Sequence, residues 1–246
     1  MPPLSPQASS DIPPKSLLAW GPKAAIIVSV LAYVSSQLIL IVPLMLFYAV
    51  QQNQDIDSAL NSSWVQLCLS GVSAATILGV LWLFLHRRKQ TFKNLGFKKI
   101  KWSDMGWLLV ATLIYIITLV VVMAVASHIP GFNADEAQDV GYQGANGWQL
   151  GLAFIGLVVL PPLAEEMLFR GFLYRGLASK WPKIIAALVT SALFALVHFQ
   201  WNVGLDVFVL SLILIALYEK TKNLWMCIFL HALKNGMAFL ALFIFT

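Results

Sequence analysis

The chain has 246 residues, of which 59% are hydrophobic and only 11% are charged. A soluble domain of this length carries about 25% charged residues, so this composition, with a mean hydropathy of +0.80, excludes an ordinary soluble protein. The net charge of +5 does not indicate a nucleic-acid partner, because the basic residues cluster in short loops between apolar runs, as the positive-inside rule expects.

Residues 1–23 are rich in proline and serine near their start and predict a flexible cytoplasmic tail. The apolar run that follows is too long for a signal-peptide core and predicts a retained span. Continuous rather than alternating apolar runs argue against a transmembrane barrel. We therefore predict an all-α, polytopic transmembrane helical bundle of about seven to eight spans. The candidate spans are 24–50, 63–85, 104–127, 148–178, 183–199, 204–218 and 224–245.

The loops predict an orientation. Basic residues precede span one and follow spans two, four and six, whereas the loops after spans one and three carry acidic residues and no Lys or Arg. Cytoplasmic loops of membrane proteins carry the excess of Lys and Arg. The pattern therefore predicts a multi-pass integral protein of the cell membrane, with a cytoplasmic N-terminus and an external C-terminus.

Ionisable residues within the spans are confined to the second part of the chain. Spans one to three have none in their interiors, so residues 24–147 are interpreted as scaffold and residues 148–246 as the motif-bearing part. A charge at the bilayer centre costs about 2.5–3.5 kcal/mol on insertion scales, so these side chains should face a cavity and each other. They are Glu165, Glu166, Arg170, His198, His231 and Lys234, with Asp206 near the outer end of span six.

Span four contains adjacent prolines, Pro161 and Pro162, just before two glutamates. Because proline lacks the backbone N–H and its ring disrupts the preceding turn, the pair predicts a kink or break with a new helical segment starting near Pro162. Glu165 and Glu166 would then lie in a first turn, where free amides and the helix dipole favour carboxylates. The alternative is that the prolines only bend the span, which membrane helices tolerate.

The two glutamates are expected to do different things. Adjacent helical residues point about 100° apart, so Glu165 and Glu166 cannot aim at one spot. Glu166 and Arg170 are four residues apart and can form an ion pair on one face. Glu165 is then free to face elsewhere and to act in catalysis. The alternative is a buried ionic cluster that only fixes helix packing, although such clusters are often neutral for stability.

His198 alone would be typical of an interhelical hydrogen bond, but its position suggests more. Glu165 lies 15 residues before Lys180 and His198 lies 15 residues after Lys183. At 1.5 Å per residue, each is about 22 Å from the hairpin turn between them. Antiparallel neighbouring helices would therefore hold the carboxylate and the imidazole at the same depth.

His231 and Asn235 are four residues apart on one face of the last span and need polar partners in hydrocarbon. Lys234 is expected to reach for the interface or to lie on another face. His231 is only about 14 Å along its helix from Lys222. Its depth matches that of Glu165 if the last helix is offset or if its cytoplasmic end is longer than predicted.

The three motifs Glu-Glu-x-x-x-Arg, Phe-x-x-x-His and His-x-x-x-Asn occur in this order on apolar spans. Together, over about residues 148–240, they resemble the CAAX protease and bacteriocin-processing family, which comprises the type II CAAX prenyl endopeptidases and their bacterial relatives. The resemblance implies an intramembrane, glutamate-dependent peptidase within a helical bundle. Well-described members have eight spans where seven are counted here, and the first 147 residues carry no family motif.

The resemblance also implies a role for each motif residue. Glu165 is similar to the glutamate that activates water and His198 to its partner in holding that water, while His231 and Asn235 are similar to the pair that stabilises the oxyanion. It implies no metal and no cofactor, and a peptide or protein substrate that can be lipidated. The residues expected to support the site or to contact substrate are Glu166 and Arg170.

Elementary chemistry agrees with these roles, because peptide hydrolysis needs a base for water and donors where charge develops on the carbonyl oxygen. A zinc protease is the nearest alternative, since a glutamate and two histidines can bind zinc and leave a fourth position open. His-Glu-x-x-His is absent, however, and the two histidines lie on different spans. Activity that survives chelation would separate the two mechanisms.

Two further alternatives are not peptidases. The first is a membrane scaffold or bacteriocin-immunity protein that uses the same fold without catalysis, although all six motif residues are present. The second is a transporter with a proton relay. A transporter would be expected to carry ionisable groups in both halves, often as repeats, and spans one to three lack them.

Overall fold

Long apolar segments form helices here because a helix satisfies its backbone hydrogen bonds internally, which a bilayer requires. The computed structural model describes residues 18–50, 62–134, 136, 140–142 and 144–245, and only the backbone of 42–50. Within these residues there are no strands, which confirms the all-α prediction. The helices are α1 Pro22–Val50, α2 Ser63–Arg87, α3 Trp102–Ala126, α4 Trp148–Ala178, α5 Lys183–Leu196, α6 Trp201–Thr221 and α7 Leu224–Phe243.

Six of these helices are long and apolar enough to cross a membrane, and α5 is the exception with 14 residues. At 1.5 Å per residue α5 is about 21 Å long, shorter than the roughly 30 Å hydrocarbon core. The predicted fifth span extended to residue 199, so its end was wrong by three residues. The chain leaves the helix through a tight turn in which Phe199 has a positive φ of 54°, and α6 then begins at Trp201.

The buried centre of the bundle is formed by α4 and α6. Half of the most apolar window of each is buried inside the protein, against 11% for α3. Helix α4 contacts α1, α2, α5 and α7, and α6 contacts α3, α5 and α7. The two helices therefore carry their polar side chains into the protein, while α3 presents most of its apolar surface outward.

The predicted break at the prolines does not occur. Helix α4 continues through Pro161 and Pro162 and contains two wider, π-helical segments, Ile155–Val159 and Met167–Tyr174. In the first of these, the Leu160 N–H bonds to the carbonyl of Ile155, five residues back. The extra residue in the turn gives the proline rings room against the preceding turn. The glutamates therefore lie inside a continuous helix, and the prediction of a helix start with free amides was wrong.

The start of α1 and the residues just before it pack closely against the second half of α4. The indole nitrogen of Trp20 donates to the carbonyl of Phe172 at 3.0 Å, within the second π-helical segment. One turn later, a Cβ added to Gly176 would lie 2.5 Å from the Cβ of Ala25. A side chain at Gly176 would separate the helices, so the glycine permits this approach.

Candidate active site

A fully buried ion pair lies at the centre of α4. Nη1 of Arg170 is 2.9 Å from Oε1 of Glu166, and neither side chain is exposed. The guanidinium carbon of Arg170 also lies 4.5 Å from the centroid of the Phe194 ring, a cation–π contact that is strongest where water is excluded. The predicted pairing of Glu166 with Arg170 is present, with an aromatic ring of α5 as an additional neighbour.

His231 joins the same carboxylate from α7. Its Nδ1 lies 2.8 Å from Oε1 of Glu166, and its Nε2 lies 3.9 Å from Oε2 of Glu165. Because the Glu166 carboxylate accepts, Nδ1 carries the hydrogen, and in a neutral imidazole the lone pair on Nε2 then faces Glu165. The distance to Glu165 exceeds that of a direct hydrogen bond and suits one bridging oxygen atom.

Glu165 is the accessible carboxylate of the two. Its side chain is 24% exposed, whereas that of Glu166 is 0% exposed. It borders a cavity of about 230 Å³ between α1, α2 and α4, with Ser70 and Ser73 among the lining residues. A water molecule occupies about 30 Å³ of liquid, so this space is large enough for several waters beside polar side chains. Of the two carboxylates, Glu165 is therefore the one that a water in this cavity could reach, because Glu166 is fully buried.

Asn235 lies one turn beyond His231 on α7 and is half-buried. Its amide nitrogen donates to the backbone carbonyl of Leu157 at 2.9 Å, in the first π-helical segment of α4. The resemblance implied that Asn235 and His231 act together at an oxyanion. In the structure the two side chains meet α4 at different places, Asn235 at Leu157 and His231 at the glutamates, and the oxyanion role stays a prediction.

His198 lies in the turn between α5 and α6 rather than in a helix. Its Nδ1 contacts the carbonyl of Phe194 at 2.8 Å, and its ring packs edge-on against the Phe194 ring at 5.1 Å between centroids. Phe194 also contacts His231, with the centroids 5.8 Å apart. No hydrogen bond or ion pair joins His198 to Glu165 in the described part of the chain, and its predicted share in holding water is untested.

The structure therefore brings Glu165, Glu166, Arg170 and His231 into one contact group, with Asn235 one turn away. Phe194 was not singled out from the sequence, although it is the first residue of the Phe-x-x-x-His motif. Its position one turn before His198 was the available signal. It packs against Arg170, His231 and His198 together, which makes it the link between the histidine of the turn and the buried pair.

The second part of the chain matches a known protein family. The family model described as type II CAAX prenyl endopeptidase Rce1-like matches residues 147–237. UPF0177 protein YxdF of Lactococcus lactis subsp. lactis (strain IL1403) is 32% identical over 154 residues, which cover 60% of this chain and 79% of the relative. The chain belongs to the type II CAAX prenyl endopeptidase Rce1-like family. This confirms the resemblance found from the motifs.

A second relative of the Rce1-like chain is "Putative membrane peptidase YdiL" of Bacillus subtilis (strain 168). It is 30% identical over 77 residues, covering 31% of this chain and 32% of the relative. No solved structure matches the chain. Family membership and the apolar helices together make the chain a multi-pass membrane protein of a peptidase family.

This Rce1-like protein has a second polar cluster that the sequence reasoning missed. Nζ of Lys234 lies 3.0 Å from Oδ2 of Asp206, and the hydroxyl of Tyr115 donates to Oδ1 of Asp206 at 2.6 Å. Lys234 is only 17% exposed and contacts α6, whereas His231 and Asn235 contact α4, so of the two expected alternatives it lies on another face of the last helix. The short connection between α6 and α7 was a signal that the two helices lie side by side, but the pairing of Asp206 with Lys234 also depends on their offset and rotation, which the sequence does not give.

Tyr33 on α1 was also missed, and no local pattern marks it. Its hydroxyl donates to the carbonyl of Val197 at 2.8 Å, so α1 holds the turn that carries His198. A carbonyl at the end of a helix lacks an intrahelical donor. Only the tertiary structure shows that a tyrosine 164 residues earlier supplies one.

A zinc centre is the alternative to a glutamate-dependent mechanism in this protein. Among the residues that the structure describes, no group of three or more His, Cys, Asp or Glu side chains is arranged to hold a metal ion. A catalytic zinc site normally has three protein ligands. In the contact group, Glu166 instead bonds to Arg170 and His231.

Proposed function

We propose that this protein is an intramembrane endopeptidase in which Glu165 activates water for attack on a peptide bond and His231 holds that water. The observation that carries the proposal is the 3.9 Å gap between Oε2 of Glu165 and Nε2 of His231. An oxygen atom to one side of the line between these two atoms would be within hydrogen-bond distance of both. Membership of a peptidase family supports the reaction class.

The buried pair prepares His231 for this role. Glu166 accepts from Nδ1 of His231 at 2.8 Å and from Arg170 at 2.9 Å, through the same oxygen. The bond to Glu166 fixes the ring orientation and the tautomer, so that Nε2 is directed toward Glu165. Arg170 balances the negative charge of Glu166 in a dry environment, where an unpaired charge is unfavourable.

Hydrolysis then follows from the two groups that face the water. Water donates one hydrogen bond to Nε2 of His231 and its other proton to Glu165, and the oxygen attacks the carbonyl carbon. The C–N bond breaks as Glu165 passes its proton to the leaving amine. The charge on the carbonyl oxygen needs donors. The resemblance assigns this task to His231 and Asn235, with His198 beside the water. Because Nε2 of His231 here accepts from the water, the donor that we propose is the Asn235 N–H that does not bond to Leu157.

The substrate is proposed to be a peptide or protein with an apolar or lipidated segment near the bond that is cut. A cavity of about 890 Å³ lies between α1 and the α5–α6 turn, next to His198, and its lining is mostly apolar. Tyr33, Phe169 and Val197 are among the lining residues. A hydrocarbon chain or apolar side chains would fill such a space favourably.

We propose the cell membrane as the location, with the N-terminus in the cytoplasm. The end of α6 and the starts of α5 and α7 gather basic residues at one end of the bundle. Glu219 forms ion pairs there with Lys183 and Lys222. Lys and Arg concentrate on the cytoplasmic side of membrane proteins, which supports that end as the cytoplasmic one.

The test is a cleavage assay with purified protein in liposomes and matched lipidated and unlipidated peptides, with and without a chelator. Glu165→Gln is the inactive control. Cleavage that depends on Glu165 and survives chelation is the expected result. Cleavage that is lost on chelation and restored by zinc would favour the zinc mechanism, and a parent protein indistinguishable from Glu165→Gln on every peptide would favour the scaffold or immunity role.

A further inference from the structure

The carbonyl of Leu157 is deprived of its ordinary partners by the two prolines. In an α-helix it would accept from the N–H of residue 161, and in a π-helical turn from that of residue 162. Both positions are proline, which has no N–H. The neighbouring N–H of Leu160 bonds to the carbonyl of Ile155. The helix cannot supply the usual donor to Leu157 from its own backbone.

The side chain of Asn235 supplies a donor from another helix. Its Nδ2 lies 2.9 Å from the Leu157 oxygen, across 78 residues of sequence. An unsatisfied backbone carbonyl inside a membrane is unfavourable, so this bond compensates for the prolines. We infer that Asn235 is a positioning residue that replaces the missing proline N–H and thereby ties α7 to the helix that carries the glutamates.

The hydrogen bond from Asn235 to Leu157 acts together with a second contact between α7 and α4. On α7, His231 lies one turn before Asn235, and it bonds to Glu166 at 2.8 Å. On α4 the two attachment points, Leu157 and Glu166, are nine residues apart, with Glu165 beside the second. Two separated attachments fix both the sliding and the rotation of one helix against the other, whereas one attachment leaves a pivot. The 3.9 Å separation of Glu165 and His231 therefore depends on both.

This role is distinct from the oxyanion contact that the resemblance implies. A carboxamide has two N–H donors, and the bond to Leu157 uses one of them. The role also explains why the prolines and the asparagine occur together in the site. The prolines create an acceptor that only a side chain can satisfy, and the asparagine is the side chain that reaches it.

The test is a double-mutant cycle that returns the missing backbone donor. Asn235→Ala should lower the Tm in detergent by several degrees, and the nearly isosteric Asn235→Asp, which has no N–H to donate, should lower it at least as far. In Asn235→Ala/Pro161→Ala, the new N–H at position 161 can reach the Leu157 carbonyl, so most of the shift should be recovered relative to Pro161→Ala alone. Pro182→Ala, at the start of α5, is the matched proline control and should recover nothing.

The thermal measurement needs no substrate, so the tie is tested even if the proposed peptidase activity fails. An unchanged Tm for Asn235→Ala, or an equal loss with and without Pro161→Ala, would overturn it. Where cleavage is measurable, kcat should fall in Asn235→Ala and recover only in part in the double variant, because the second N–H that the resemblance directs at the oxyanion is still missing. A recovered Tm with no recovery of kcat would overturn the positioning role and leave Asn235 with a direct contact to the reacting group alone.

Discussion

The first three helices and the later ones differ in how much of their surface is buried inside the protein. In α1, α2 and α3 only 28%, 17% and 11% of the most apolar window is buried in the protein, against 50%, 50% and 33% in α4, α6 and α7. Lipid accepts apolar side chains but offers nothing to a charge. The early helices therefore expose their apolar surface, and the later helices surround ionised groups with protein.

The early and later helices differ in where the charged side chains lie, but both groups contribute polar side chains to the contacts between them. Tyr33 on α1 bonds to the carbonyl of Val197, Tyr115 on α3 bonds to Asp206, and Ser70 and Ser73 on α2 border the cavity beside Glu165. Each early helix thus contributes an uncharged polar group to the later ones. The interpretation of residues 24–147 as scaffold describes where the charges are and understates what these helices do.

The largest expected effect is on turnover. It comes from a residue of the later helices, which carry the charged side chains. Glu165→Gln removes the proposed general base, and general-base catalysis typically contributes about 10²–10⁴-fold. Cleavage should fall by that order while the Tm stays that of the parent. Glu219→Gln, which makes the same chemical change in the surface ion pairs with Lys183 and Lys222, should keep its turnover. Turnover within a few-fold of the parent for Glu165→Gln would remove it from the mechanism.

The next effect concerns the stability of the buried pair. Arg170→Ala leaves Glu166 without its cation, and removing one member of a buried pair costs about 3–5 kcal/mol. For a chain of this size each kcal/mol lowers the Tm by roughly 2–4 °C. The double variant Arg170→Ala/Glu166→Gln should recover part of the loss, because the orphaned charge is gone. Unchanged melting of Arg170→Ala would mean that the pair is solvated in the membrane protein.

A smaller loss is expected at the second cluster, because Asp206 and Lys234 are 16% and 17% exposed. Hydrogen bonds to charged groups contribute about 1.5–3 kcal/mol, and Asp206→Asn should destabilise the protein by that amount in a melting assay. Asp206→Asn/Lys234→Met removes both charges and should be less destabilised than the single variant. A purely additive loss would show that the two side chains act independently.

The smallest effects should come from the tyrosines of the early helices. Tyr33→Phe removes a hydroxyl bonded to a neutral carbonyl, which contributes about 1 kcal/mol. Tyr115→Phe removes one bonded to the Asp206 carboxylate, which contributes about 1.5 kcal/mol, the low end of the range for charged partners. Both Tm values should fall by a few degrees. Turnover should fall more for Tyr33→Phe, because its hydroxyl holds the turn that carries His198. If neither variant shifts the melting curve, the early helices are the inert scaffold that the sequence first suggested.

Several features of this protein follow from the sequence alone. Apolar runs of about 20 residues require helices in a bilayer, because only internal hydrogen bonding satisfies the backbone there, so the all-α fold and most helix ends were predictable. The pairing of Glu166 with Arg170 follows from helical periodicity within one span. The family follows from three motifs in order, and it was confirmed by the matches to known proteins.

Only the tertiary structure decided how those motifs meet. The bond from His231 to Glu166, the tie from Asn235 to Leu157 and the pair of Asp206 with Lys234 each join different helices. Helical periodicity sets directions along one helix, whereas such contacts depend on the offset and rotation between helices. Pro161 and Pro162 show most clearly the limit of predicting structure from local sequence, because their local effect predicts a kink or break in the helix. The helix instead continues, with a π-helical turn and a donor from α7 that no local pattern encodes.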